Sequence, residues 1–171
     1  MKKLLLGLIA MAMITVGASA DMYKMGGVKL GGASTSVNSG TSDTGLYIGV
    51  DSFLPLVVEG LAVGWGADVV SIGNSVNTQG SASNYTMAGQ IKLGYSLKHL
   101  INWNVNLIAE GGYGLTHIVN TNNAGAQYGA GVNVQVYKHL SVGYQYKSID
   151  TGFAGLDNLD THIGYAQWSW Q

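Results

Sequence analysis

The chain has 171 residues, enough for one domain, and only 10% of them are charged, against about 25% in an ordinary soluble domain. All eight basic residues are lysines and the net charge is -1, which excludes a basic patch for nucleic acid. Cysteine is absent, so disulfides, thiolate metal sites and a lipid-anchored cysteine are excluded as well.

The N-terminal segment has the pattern of a secretory signal. Two lysines precede an apolar run over residues 4–16, and small residues at 18–20 match a signal-peptidase cleavage site. The alternative, a membrane anchor, is disfavoured because the run is too short to span a bilayer. We therefore predict a cleavable signal peptide over residues 1–20 and a mature domain over residues 21–171.

After this segment, apolar residues alternate with small or polar residues, and no run approaches the roughly 18 apolar residues of a membrane helix. Alternation with a period of two is typical of β-strands. The predicted strands cover about residues 22–34, 44–53, 61–69, 85–97 and 103–116, then the two strands of a hairpin over 128–149, and a last strand after residue 160.

Three residues or residue pairs need separate interpretation within this pattern. A bulge at Gly26 and Gly27 would let Met25 share the apolar face of Val28. Pro55, the only proline, is predicted in a turn, where it forfeits no ladder hydrogen bond. Ile108 falls on the otherwise polar face of the fifth strand.

The hairpin over residues 128–149 has one apolar face and one face of small or polar residues that is unusual for a protein core. One face of its first strand consists of tyrosine, alanine and valine, and the other of glycine, asparagine and glutamine, ending at Tyr137. Glycines, amides and the inward Lys147 would make a poor dry core, whereas an outer face of valine and tyrosine suits lipid. This pattern predicts a transmembrane barrel, polar inside and apolar outside.

Short and long connections alternate along the chain. The short turns are predicted at 54–56, 98–102 and 138–140, and the polar loops at 36–43, 71–84, 120–125 and 150–160. Such alternation indicates an all-β, eight-stranded, antiparallel up-and-down barrel. Closure removes the sheet edges, whose unpaired backbone groups would each cost several kcal/mol in lipid.

Aromatic residues are predicted to form two interfacial girdles at the ends of the strands. Tyr95, Trp103, Tyr144, Trp168 and Trp170 are assigned to the short-turn end, and Tyr85 and Tyr128 to the long-loop end.

Together, the signal, the eight strands, the segment Leu-Ser-Val-Gly-Tyr-Gln-Tyr at 140–146 and the aromatic last strand resemble the small outer-membrane barrels of Gram-negative bacteria, the OmpA/OmpX-like and opacity-protein group. The resemblance covers the mature chain, with one departure: Gln171 follows Trp170, whereas such barrels usually end on an aromatic residue. It implies a monomer in the outer membrane, in contact with lipid and lipopolysaccharide and inserted by the barrel-assembly machinery. The long loops would be extracellular, and the short turns and C-terminus periplasmic.

Six charged residues are predicted to point into the barrel. They are Lys29, Asp51, Asp68, Lys92, Glu110 and Lys147. Because eight strands enclose only enough space for side chains, we interpret these balanced charges as a salt-bridge plug. The alternative is a narrow gated pore.

Histidines raise the alternative of a lipid-modifying hydrolase. His139 and Ser141 resemble the His-x-Ser of lipid A deacylase barrels, but no acid stands at a matching position to orient the imidazole. A rim group of His162, Ser148 and Asp150 is the other catalytic candidate. We expect no catalytic residues, and therefore a structural or cell-surface role.

Two further expectations concern ligands. Asp150, Asp157 and Asp160 lack the spacing of a known calcium loop and predict a solvated tip, so we expect no metal site and no cofactor. The remaining alternative is a soluble lipocalin-like carrier, which would need an apolar interior. The glycine, glutamine, asparagine and lysine of the polar face disfavour it, and it would require the opposite assignment of inner and outer faces.

Overall fold

The computed structural model describes residues 25–36, 42–72, 84–118, 121–153 and 158–169. The predicted signal peptide, Asp157, Trp170 and Gln171 lie outside these ranges. The strands are β1 (Gly27–Ser36), β2 (Ser42–Pro55), β3 (Leu61–Ile72), β4 (Asn84–Ser96), β5 (Val105–Ile118), β6 (Thr121–Tyr137), β7 (Leu140–Ile149) and β8 (Leu159–Trp168), and a single helical turn, α1 (Lys98–Ile101), joins β4 to β5. Across the described residues, no helix has the length and apolar character required to span a membrane.

The eight strands form one closed antiparallel sheet. Each strand pairs with the next, and β1 also pairs with β8, with Val28 opposite Trp168. The register is regular except between Gln135 and Tyr137 in β6, next to the two-residue turn to β7. The predicted eight-stranded up-and-down barrel is confirmed.

Side chains alternate between the barrel interior and its outer surface, as the period-two pattern requires. In β4, Ile91 is 71% exposed on the outer face while its neighbour Lys92 is 1% exposed inside. In β8, the buried residues Thr161, Ile163 and Tyr165 alternate with exposed ones. The barrel therefore has an apolar exterior and a largely polar interior.

The third predicted long loop, at residues 120–125, is wrong. β5 extends to Ile118 and β6 begins at Thr121, and these two residues pair directly. The segment that follows Thr121 consists of asparagine, alanine and glycine, which carry little strand signal, yet it pairs with β5 in regular register. Cross-strand hydrogen bonds, rather than local propensity, extend this hairpin.

Two local predictions also need correction. Met25 is fully buried inside the barrel, in contact with Phe53 and Ile108, so the bulge that would have turned it outward is wrong. Pro55 is the last residue of β2, paired with Ala62, and the turn begins at Leu56. Its position at the end of the strand is one that proline tolerates.

Apolar side chains form buried clusters toward both ends of the barrel interior. Toward the short turns, Met25, Phe53, Ala62 and Ile108 form one cluster. Ile108, which interrupted the polar alternation, belongs to this cluster. Toward the long loops, the cluster consists of Ile72, Ile149 and Leu159, which are terminal residues of their strands. The charged residues lie between these two apolar clusters.

Candidate functional site

The charged interior is the most distinctive site of the barrel. Its six residues come from six strands, β1, β2, β3, β4, β5 and β7, and each is at most 8% exposed. Charges at this depth persist only when they are paired. We call this group the interior charge network: Lys29, Asp51, Asp68, Lys92, Glu110 and Lys147.

Five ion pairs join the network into one continuous chain. They are Lys29–Asp51, Asp51–Lys92, Lys92–Glu110, Glu110–Lys147 and Lys147–Asp68. The Lys92 Nζ lies 2.7 Å from Asp51 Oδ1 and 2.7 Å from Glu110 Oε2. The Lys147 Nζ lies 2.9 Å from Glu110 Oε1, and it also contacts Asp68 across the barrel. Positive and negative charges alternate along the chain, so each interior charge has a partner of opposite sign.

Glycines on intervening strands provide the space for these contacts. Gly129 of β6 pairs with Glu110 on one side and Lys147 on the other, and a Cβ at this position would lie 3.1 Å from Lys147 Cγ. Gly66 of β3 pairs with Asp51, and a Cβ there would lie 2.7 Å from Lys92 Cε. The network therefore depends on inward glycines as well as on charged residues. In the sequence, both glycines fall on the predicted polar face of a strand that lies between strands with charged residues.

The predicted catalytic candidates do not converge. Ser141 is buried, whereas the His139 ring packs against the exposed Trp168, with 5.7 Å between ring centroids. At the other rim, the Asp150 carboxylate accepts a hydrogen bond from the Gly152 N–H at 2.9 Å. His162 is exposed and pairs instead with the hydroxyl of Tyr144.

A polar cluster that sequence analysis missed lies on the outer surface of β7 and β8. The hydroxyl of Tyr144 contacts His162 Nδ1, and the hydroxyl of Tyr146 donates to Asp160 Oδ1 at 2.7 Å. The register places Tyr146 opposite His162, with 5.4 Å between the ring centroids. In the sequence, these residues are recognisable only as outward-facing positions spaced by two on each strand. The strand register is what brings the two pairs together. Hydroxyl, imidazole and carboxylate groups therefore meet on the outer wall of these two strands.

Removing one hydroxyl tests whether this cluster stabilises the barrel. Tyr146→Phe is expected to lower the free energy of unfolding by about 1 kcal/mol, because the Asp160 carboxylate loses a donor. The measurement is urea unfolding of the barrel in vesicles. The control is Tyr128→Phe, which removes a hydroxyl from an exposed tyrosine on the neighbouring strand β6. An equal effect of the two substitutions would contradict a role for the Tyr146–Asp160 hydrogen bond.

The residues predicted to form aromatic girdles lie on the outer surface or in a turn, except Trp170, which is outside the described residues. Tyr85 and Tyr95 are near opposite ends of β4, Trp103 is in the β4–β5 connection and Trp168 ends β8. Tyr128 and Tyr144 are instead in the middle of β6 and β7. Tyr128 is central because β6 begins at Thr121, seven residues earlier.

The described ranges contain no group of three or more histidine, cysteine, aspartate or glutamate residues arranged to hold a metal ion. Of the loop acids, Asp160 belongs to β8 and bonds Tyr146, while Asp157 is outside those ranges.

A closed eight-stranded barrel with a charged interior and an apolar exterior has the fold of the small outer-membrane barrels, and comparison with solved structures agrees. Neisserial surface protein A aligns with a TM-score of 0.56 and 13% identity, over 82% of this chain and 92% of that one. Ail, the attachment invasion locus protein of Yersinia pestis, aligns with a TM-score of 0.53 and 12% identity, over 84% and 96%. Both are small eight-stranded outer-membrane β-barrels, so the predicted resemblance is confirmed at the level of the fold. No protein-family model matches the chain, and no curated protein matches it in sequence.

Proposed function

We propose that this protein is an integral outer-membrane barrel with a structural or cell-surface role and no chemistry of its own. The observation that carries the proposal is the inverted distribution of side chains: leucine, isoleucine and valine cover the outside, while three lysines and three carboxylates are buried within. Water would penalise the first arrangement, and lipid favours it. The names of the similar structures, a surface protein and an attachment protein, favour a surface role.

In this proposal the long loops are extracellular, and the short turns and C-terminus are periplasmic. The partners are outer-membrane lipid, lipopolysaccharide and, during insertion, the barrel-assembly machinery. A monomer is proposed because the closed sheet has no free edge to pair with another copy.

The alternatives receive less support. A gated pore would need the charges of the interior charge network to separate, but each of them is ion-paired and at most 8% exposed. A carrier would need an apolar cavity, and the interior charges occupy that space. For a hydrolase, the described serines, histidines and carboxylates do not converge.

Heat-modifiable gel migration tests the proposal. Protein extracted from purified outer membranes is expected to migrate differently before and after boiling in detergent, because a closed hydrogen-bonded barrel resists detergent until heated. A protein that fractionates as soluble and migrates identically in both samples would contradict the proposal. The search would then move to ligands of a carrier barrel.

A further inference from the structure

Five exposed apolar side chains project from two connections at the short-turn end of the barrel. Val57 is fully exposed, and the other four are at least 43% exposed. We call this group the apolar turn surface: Leu56, Val57 and Val58 of the β2–β3 turn, and Leu100 and Ile101 of α1. A turn surrounded by water would ordinarily carry polar residues.

The two connections lie side by side. The Ser96 N–H at the end of β4 donates to the Gly60 carbonyl of the β2–β3 turn at 2.7 Å. A Cβ on Gly60 would lie 2.8 Å from Cε1 of His99 in α1, and the φ of +81° at this residue also favours glycine. Since the turn and the helix pack together, their exposed apolar side chains belong to one end of the barrel between β2 and β5.

This surface is continuous with the apolar outer face of the barrel. Leu54 of β2, Leu93 of β4 and Leu107 of β5 are exposed on the outside, in the parts of their strands next to these connections. Leu56 continues the outward parity of Leu54. On the opposite side of the barrel, the β6–β7 turn consists of Lys138 and His139. The exposed Val136 and Tyr137 beside that turn belong to β6 itself, so among the described connections at this end the apolar ones lie on the β2–β5 side.

We propose that the acyl chains of the inner leaflet cover the apolar turn surface, an inference that rests on the proposed membrane location. The hydrophobic effect favours burial of these side chains wherever the existing lipid contact can extend to them. Glu59 and Lys98 are exposed at the same rim, where their charged ends can reach the headgroups. The hydrophobic boundary is then lower beside β2–β5 than beside β6–β7, which the membrane accommodates by barrel tilt or local thickening.

A single fluorescent label measures the depth of this surface. The chain has no cysteine, so Val57→Cys can be labelled with a nitrobenzoxadiazole dye after the full mature chain is inserted into phosphatidylcholine vesicles. Leu93→Cys is the control for the lipid-facing wall, and Lys138→Cys for a polar turn at the same end. Iodide on both sides of the vesicles measures contact with water, and spin-labelled lipids measure contact with acyl chains.

The label at position 57 is expected to resemble the label at 93, with blue-shifted emission, quenching by spin-labelled acyl chains and several-fold weaker iodide quenching than at 138. If positions 57 and 138 are quenched equally by iodide while 93 is protected, the inference is overturned and the proposed function stands. Iodide access at position 93 would overturn the proposed function itself. Protection at 57 that disappears on dilution of protein into excess lipid would indicate a second copy as the occupant, which also overturns the inference.

Discussion

Replacing Lys92 with methionine is expected to lower the free energy of unfolding by about 3–5 kcal/mol, as removal of one partner from a buried ion pair generally does. Lys92 bridges Asp51 and Glu110 in the middle of the interior charge network. Without it, the interior carries one excess negative charge among residues that are at most 8% exposed. Urea unfolding of the barrel in vesicles measures the loss.

A second substitution separates charge imbalance from lost packing. In Lys92→Met/Glu110→Gln, the pairs Lys29–Asp51 and Lys147–Asp68 remain and the interior is neutral, so most of the stability is expected to return. Lys98→Met, at an exposed position of α1, controls for the loss of a lysine and is expected to change stability by less than about 0.5 kcal/mol. If Lys92→Met is as mild as Lys98→Met, the network does not stabilise the barrel.

Gly66→Val is expected to lower the free energy of unfolding by about 1–3 kcal/mol, the usual range for overpacking a filled interior. The new Cβ would lie 2.7 Å from the Val50 carbonyl oxygen and 2.7 Å from Lys92 Cε, and it would also contact the Asp51 carboxylate. Relief of these contacts requires Asp51 and Lys92 to move apart, so the substitution damages the network without removing a charge. Unfolding in urea again supplies the measurement.

Gly89→Val is the matched control, because Gly89 pairs with Ala67, the residue next to Gly66, but faces outward. A Cβ at Gly89 would have no other atom within 4 Å. Valine there is expected to be neutral or slightly stabilising, since β-branched residues favour strands. Equal losses at positions 66 and 89 would indicate a general effect of glycine replacement and would contradict a specific role for Gly66.

The network also connects parts of the sheet that are not neighbours. The pair Lys147–Asp68 joins β7 to β3 across the interior, and the pair Glu110–Lys147 passes over β6. These contacts require the curved, closed sheet, because the same strands would be far apart in an open one. The ion pairs therefore favour the closed barrel over partly paired alternatives, in addition to the hydrogen bonds between β1 and β8.

The similarity to the two solved structures extends to the architecture alone. One fold supports many functions, which reside in particular residues rather than in the topology. For this chain, the features whose roles can be tested are the interior charge network, the Tyr146–Asp160 cluster and the apolar turn surface. Each can be altered separately, because they occupy the interior, the outer wall and one rim.

Alternation and the spacing of turns were enough to predict the number of strands, their antiparallel order and the face of the sheet on which each interior charge lies. These properties follow from alternation, a local feature that any strand of regular geometry must obey. The predictions from the sequence were wrong where the local pattern was weak or ambiguous. The polar residues after Thr121 resembled a loop, and the glycines beside Met25 resembled a bulge.

Which side chains meet could be seen only in the folded barrel. Register and barrel curvature bring Lys147 to Asp68 on the far side of the interior. They also bring the Tyr146 hydroxyl to Asp160. The same holds for the packing of Gly60 beside His99, which unites two separate turns into one apolar surface. Alternation predicts which face of the sheet a side chain occupies. The partner of that side chain lies on a strand distant in the chain, and closure of the sheet brings the two strands together.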